Sequence, residues 1–234
     1  MSIKKILNYS PNFDTKKREI NKIKFLIFHY TGMKKELESI KRLTNIKSKV
    51  SSHYLIKKNG DIVVLVPDLY VAWHAGKSSW KKFNLLNNYS IGIEISNPGH
   101  GKNYKKFSKR QTISILKLSK HLIKKYKIKP QSILGHSDIS PSRKKDPGEK
   151  FPWELLAKKK LSIWHKINQQ ELKNLRKKRC SKIEKYKFSK NLIEIGYSGK
   201  NLEKVTKAFQ RRFRSQIVDG KIDQECFKIS KKLI

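Results

Sequence analysis

The chain has 234 residues, enough for one large domain and one small one. Hydrophobic residues make up 37% and aromatics 10%, which supports packed cores and excludes a disordered chain even though 32% of residues are charged. The formal net charge is +38, supplied mostly by Lys, with Arg at a few places such as Arg143, Arg211, Arg212 and Arg214, so an acidic partner is implied: nucleic acid, a carboxylate-rich polymer or an anionic membrane face.

Lys4 and Lys5 are followed by no apolar run of signal-peptide length, and no lipidation site is visible. No apolar stretch is long enough to cross a bilayer. A soluble cytoplasmic protein is expected, with the periplasm as the alternative. Cys180 and Cys226 have no CxxC neighbour or nearby His, and they read as free thiols of a reducing compartment.

In chain order, residues 23–29 form an apolar run too short for a helix and predict a buried strand ending at His29, broken by Thr31 and Gly32. Leu37, Ile40 and Leu43 recur every three residues and predict a helix over 34–46 with one buried stripe. Asn59-Gly60 between residues 54–58 and 61–66 is a hairpin signal. A strand over 91–95 is closed by Asn97, Pro98 and Gly99. Ser108 caps a helix whose stripe is Ile115, Leu118, Leu122 and Tyr126, stopped at Pro130, and a strand over 132–135 then delivers His136. Strands and helices mix without strict alternation, which predicts an α/β fold with a mixed central sheet flanked by helices.

After Trp153 the texture changes. Residues 161–187 read as a basic linker or exposed helix between a catalytic domain at 1–160 and a small all-α domain at 188–234. In the latter, Leu202, Val205, Phe209 and Phe213 form a helical stripe, Val218-Asp219-Gly220 a loop, and 222–234 a last short helix.

Polar chemistry concentrates at strand ends and in loops. A lone His such as His29 after a strand is more often packed than a ligand. The segment 135–148 (GHSDISPSRKKDPG) is dense in polar groups and turn formers, and two readings of it stand. One is a solvated turn in which Arg143 and Lys145 pair with Asp138 and Asp146. In the other, His29, His136 and Asp146 supply two imidazoles and a carboxylate to a zinc ion with a fourth position for water.

The set Phe28-His29-Tyr30-Thr31, Val50-Ser51-Ser52-His53-Tyr54, Ala72-Trp73-His74-Ala75-Gly76, Ser90-Ile91-Gly92-Ile93-Glu94 and 135–148, in this order, resembles the type-2 N-acetylmuramoyl-L-alanine amidases, related in fold to the peptidoglycan recognition proteins. The resemblance runs from about Ser10 to Trp153 and includes the opening Ser10-Pro11-Asn12-Phe13 of members with a C-terminal extension. It implies one Zn2+ per chain on His29, His136 and Asp146, with Glu94 and Lys144 as the catalytic pair. Zinc acidifies water, Glu94 would move its proton to the leaving amine, and Lys144 would stabilise the oxyanion. The bland alternatives are a surface-paired Glu94 and a solvated Lys144.

Trp73 and His74 are candidate walls of the substrate groove, or else a buried Trp beside a satisfied His. Lys49 stands where related amidases can carry a cation for a stem-peptide carboxylate. His53 is read as structural, and His100, His121 and His165 receive no role. From about Asn191 onward the chain, with residues 207–213 (KAFQRRF) and Asp219-Gly220, looks like a peptidoglycan-binding domain, either a tether to the wall or a stabilising cap. Truncation after about Lys160 is expected to leave a folded enzyme. Peptidoglycan and soluble 1,6-anhydro-muropeptides are both compatible substrates. A non-catalytic recognition module on the same fold would typically lack a zinc ligand, and a nucleic-acid binder lacks any recognised motif here.

Overall fold

The computed structural model describes residues 3–101 and 103–234. Its strands are β1 (Lys5–Leu7), β2 (Phe13–Asp14), β3 (Phe25–Tyr30), β4 (Tyr54–Ile56), β5 (Ile62–Val64), β6 (Val71–Ala72), β7 (Ser79–Trp80), β8 (Phe83–Asn84), β9 (Ser90–Ile95) and β10 (Ile133–Gly135). Its helices are α1 (Glu36–Thr44), α2 (Lys109–Tyr126), α3 (His136–Ile139), α4 (Trp153–Lys158), α5 (Gln169–Arg176), α6 (Lys182–Ile195), α7 (Leu202–Phe213) and α8 (Gln224–Lys231).

Among the described residues, six strands form the main sheet in the order β1-β5-β4-β9-β3-β10. Only β4 and β5, joined through Asn59-Gly60, are antiparallel neighbours. The strand β3, between β9 and β10, has apolar side chains on both faces, as a strand covered on both sides must. Leu26 and Phe28 enter one core, where they meet α2 through Ile115, Leu118 and Leu122. Phe25 and Ile27 enter the other. The start of α2 is fixed by a capping box between Ser108 and Gln111. In α1 the expected stripe is only partly buried: Leu43 packs on Leu55, Val63 and Leu65, while Leu37 is 62% exposed.

The second core changes the expected organisation. Phe25, Ile27, Leu134 and Ile139 of the sheet side share one apolar cluster with Leu172, Phe188, Leu192, Phe209, Phe213 and Ile229 of α5 to α8. The C-terminal helices therefore cover one face of the sheet and have no separate core among the described residues. The region read as a basic linker or exposed helix carries α5 and the start of α6, and α6 runs across the boundary drawn at 187/188. Cys180 and Cys226 are both free and buried.

Candidate active site

Side-chain alternation gathers the polar groups on one face of the sheet. In β9 the isoleucines 91, 93 and 95 enter the α2-side core, so Ser90, Gly92 and Glu94 point the other way. The parallel register of β3 and β9 places His29 beside Glu94. β10 pairs with β3 at Gly135 and Phe28, and the chain turns directly into α3, whose first residue is His136. A Cβ at Gly135 would lie 2.7 Å from Pro147 Cδ, so the approach of the loop bearing Asp146 requires glycine there. The Ser137 amide donates to the Asp146 carbonyl at 2.8 Å and holds that loop.

His29 Nδ1, His136 Nδ1 and Asp146 Oδ2 lie 2.9–3.0 Å from one another, and all three residues are buried. The surrounding hydrogen bonds assign the tautomers. His136 Nε2 is 3.1 Å from the Ala75 carbonyl, which only accepts, so Nε2 carries the proton. Ser90 Oγ donates to the Leu86 carbonyl and accepts from His74 Nε2 at 3.2 Å. His74 Nδ1 is then a lone pair that accepts from His29 Nε2 at 3.1 Å. Both Nδ1 atoms facing Asp146 are left without protons. Three lone-pair atoms in mutual contact repel one another unless a cation stands among them. Two imidazoles and a carboxylate, each imidazole oriented by a partner on its outer nitrogen, fit zinc, whose ligand distances put tetrahedral ligand atoms roughly 3.3 Å apart.

Burial holds His29 down to about 4, and the neighbouring His136 adds to the effect, so the ring is neutral at neutral pH as a ligand must be. Burial opposes ionisation of Asp146, but His136 and His29 outweigh it and hold the carboxyl below its ordinary range. Glu94 is pushed up to about 8, first by burial and then by Asp146, against the opposing charges of Lys144 and Arg42. Its Oε2 is buried without a hydrogen-bond partner among the described residues. Lys144 is half-buried, with its amide bonded to the Ser140 carbonyl at 3.0 Å. A cleft of about 520 Å³ is lined by His29, Glu94, His136, Lys144 and Asp146 together.

Trp73 and His74 also line this cleft. Trp73 is half-buried and its Nε1 donates to Asp14 at 2.7 Å. His74 does more than form a wall, because it accepts the bond that orients His29. Gly92 makes room for it: a Cβ there would fall 2.4 Å from the His74 ring. The Asn87 side chain accepts from the amides of His74 and Ala75 and fixes this segment. Lys49 is exposed, in a left-handed conformation, and is not among the residues lining the cleft; Arg42 from α1 is. His53 accepts the Gly92 amide at 3.0 Å, and burial holds it down to about 3.

The ion-paired-turn reading of 135–148 is not what forms. Arg143 donates to the carbonyls of Ala75 and Lys77, and Asp138 accepts from the Gly135 amide, from Tyr197 and from Arg212. Sequence reasoning missed these last two partners, which reach the segment after β10 from α7 and from the connection between α6 and α7. The available signal was Arg212 itself, an arginine in a chain whose default cation is lysine.

The profile of the Amidase_2 family, described as N-acetylmuramoyl-L-alanine amidase, matches residues 19–149. N-acetylmuramoyl-L-alanine amidase AmiD of Escherichia coli is 33% identical over 231 residues, covering 91% of this chain and 83% of the relative. A solved complex of that E. coli enzyme with anhydro-N-acetylmuramic acid-L-Ala-D-gamma-Glu-L-Lys superposes with a TM-score of 0.81 at 31% identity, over 94% of this chain and 91% of the other. AmpDh3 of Pseudomonas aeruginosa in complex with anhydromuramic pentapeptide gives a TM-score of 0.79 at 28% identity, over 95% of each chain. With similarity spanning the catalytic half and the C-terminal helices alike, the chain belongs to the Amidase_2 family and is an N-acetylmuramoyl-L-alanine amidase.

Proposed function

We propose that this amidase cleaves the lactyl–L-alanine amide of anhydro-muropeptides, with one zinc ion held by His29, His136 and Asp146, Glu94 moving the proton and Lys144 stabilising the oxyanion. The observation that carries the reading is the trio of proton-free ligand atoms sharing one cleft with the bare carboxyl oxygen of Glu94. When bound, zinc supplies a Lewis acid that polarises the carbonyl and acidifies water. Glu94 takes a proton from the attacking water. It returns that proton to the alanine nitrogen as the C–N bond breaks, leaving a muramoyl carboxylate and a free peptide amine. Lys144 brings positive charge to the carbonyl oxygen while it is negative.

The anhydro-muropeptides named with the E. coli and P. aeruginosa relatives support the substrate class. Arg42, Arg143 and Lys145 on the rim of the cleft suit an acidic stem peptide. Elemental analysis of the purified protein should give one zinc per chain, and chelation should abolish cleavage of the anhydro-muramoyl tripeptide, restored on adding zinc. His136→Ala should lose both metal and turnover. Full activity in protein free of transition metal sinks the metal assignment.

A further inference from the structure

A second cleft, of about 750 Å³, opens between the catalytic loop and the end of α7, and Arg211 lines it. Three arginines stand within four positions here, and two are committed to the fold. Arg212 donates to Asp138 and to the Ile133 carbonyl, and Arg214 to Asp219, Asp223 and the Ile217 carbonyl. Arg211 is different: it is only 8% exposed, its Nε is buried without a hydrogen-bond partner as that of Arg212 is, and among the described residues no acceptor meets the rest of its guanidinium either. Burial works against its charge, with Glu149 the foremost group offsetting this. Glu149 is itself engaged by His100 at 2.9 Å. A buried guanidinium with an idle donor costs free energy unless something arrives to meet it.

The two clefts are neighbours. Lys145 lines both, and Tyr30 of the catalytic cleft is bonded at 2.9 Å to His100, which lines the second. An occupant reaching Arg211 is therefore one that continues out of the active site. The fork of an arginine matches a carboxylate, and in a muropeptide the carboxylates belong to the peptide while the N-acetylated sugar is neutral.

We propose that the Arg211 cleft is a carboxylate subsite for the stem peptide of the substrate, with Arg211 as its buried contact and Lys145 as the bridge from the catalytic cleft. The inference rests on the muropeptide reading above and names where its acidic arm goes.

The test combines a change in the protein with a change in the ligand. Anhydro-muramoyl peptides with the terminal carboxylate free or converted to the amide are compared by kcat/KM in the parent, Arg211→Gln and Arg211→Lys proteins. The parent should prefer the free carboxylate by roughly ten- to a hundredfold, the scale of a hydrogen bond to a charged group. Arg211→Gln should lose most of that preference through KM, and Arg211→Lys should retain part of it. Unchanged preference in Arg211→Gln overturns the subsite, while cleavage by the parent leaves the amidase reading intact. Calorimetric titration of the peptide L-Ala-D-γ-Glu-L-Lys gives a readout independent of turnover. Weaker binding to Arg211→Gln supports the proposal even if the parent cleaves nothing, and equal binding rejects it. Inorganic phosphate is titrated in parallel; tighter Arg211-dependent binding of phosphate than of the peptide overturns the assignment to a carboxylate. If Arg211→Gln does not fold, the exposed Lys145→Gln serves in its place under the same outcomes.

Discussion

Glu94 shows how one side chain takes its properties from strand alternation. The register sets it beside His29 on a closed face of the sheet, and burial then keeps its carboxyl neutral to about pH 8 in the metal-free protein. Its ordinary value is 4.5, so the stability tied to the neutral form is complete below that pH and lost as pH rises through 8. Glu94→Gln fixes the group as neutral. The metal-free variant should therefore gain stability over the parent as pH rises from 5 to 8, measured by urea unfolding, and a flat difference would contradict the buried-acid reading. In the metal-loaded enzyme the same substitution should retain zinc and cost roughly two to four orders of magnitude in turnover. Gly92 is the companion case, because its missing side chain is where the His74 ring sits. Gly92→Ala should displace His74, release the outer nitrogen of His29 and weaken zinc binding by about ten- to a hundredfold in chelator competition. His29, His136, Asp146, Glu94 and Lys144 were picked out as motifs in the sequence, and the structure brings them to one cleft. The hydrogen-bonded line from His29 through His74 to Ser90 was not legible there, because a contact between residues 45 and 16 positions apart leaves no local periodicity.

At the scale of elements, the features with a local cause were the ones that could be read in advance. Asn59-Gly60 made its hairpin, Ser108 capped α2, and the run ending in His29 became β3. The two-residue strands β2, β6, β7 and β8 escaped notice, since two residues carry no alternation to detect. The stripe of α7 was visible, but a stripe says which side is apolar without saying what will cover it. What covers it is the face of the sheet beneath the 135–148 segment, and a buried ion pair locks the contact: Arg212 to Asp138 at 3.0 Å, with Tyr197 also donating to Asp138. Asp138 is two positions from His136 and holds the Gly135 amide at the start of α3. Arg212→Leu would strand that carboxylate without its cation and should destabilise the protein by about 3–5 kcal/mol. Adding Asp138→Asn to Arg212→Leu should recover part of the loss in denaturant unfolding. Equal stability of parent and single variant would show that the pair does not hold the loop.

The whole molecule is tied together by the apolar cluster that joins Phe25, Ile27 and Leu134 to Phe188, Phe209 and Phe213. Composition and the polar stretch after Trp153 pointed to a removable unit, and neither reports which surfaces are apolar on both sides of a boundary. Two-state unfolding follows from a shared core. The full chain should melt in one transition by calorimetry, and truncation after Lys160 should give a chain that aggregates or unfolds at much lower denaturant than the parent. Two separate transitions, or a truncated form that folds as stably as the parent, would restore the autonomous-tether picture. The same cluster also orders events in time. Synthesis runs at about 5–20 residues per second, so the stretch from Lys160 to α8 takes roughly 4–14 s to make. Throughout that interval the nascent chain already contains His29, His136 and Asp146, while the helices α5 to α8 that cover the face beneath β3 and β10 are still incomplete. The residues that gather at the candidate site are thus made first, and the face on which they rest is closed by helices made last, none of which supplies His29, His136 or Asp146.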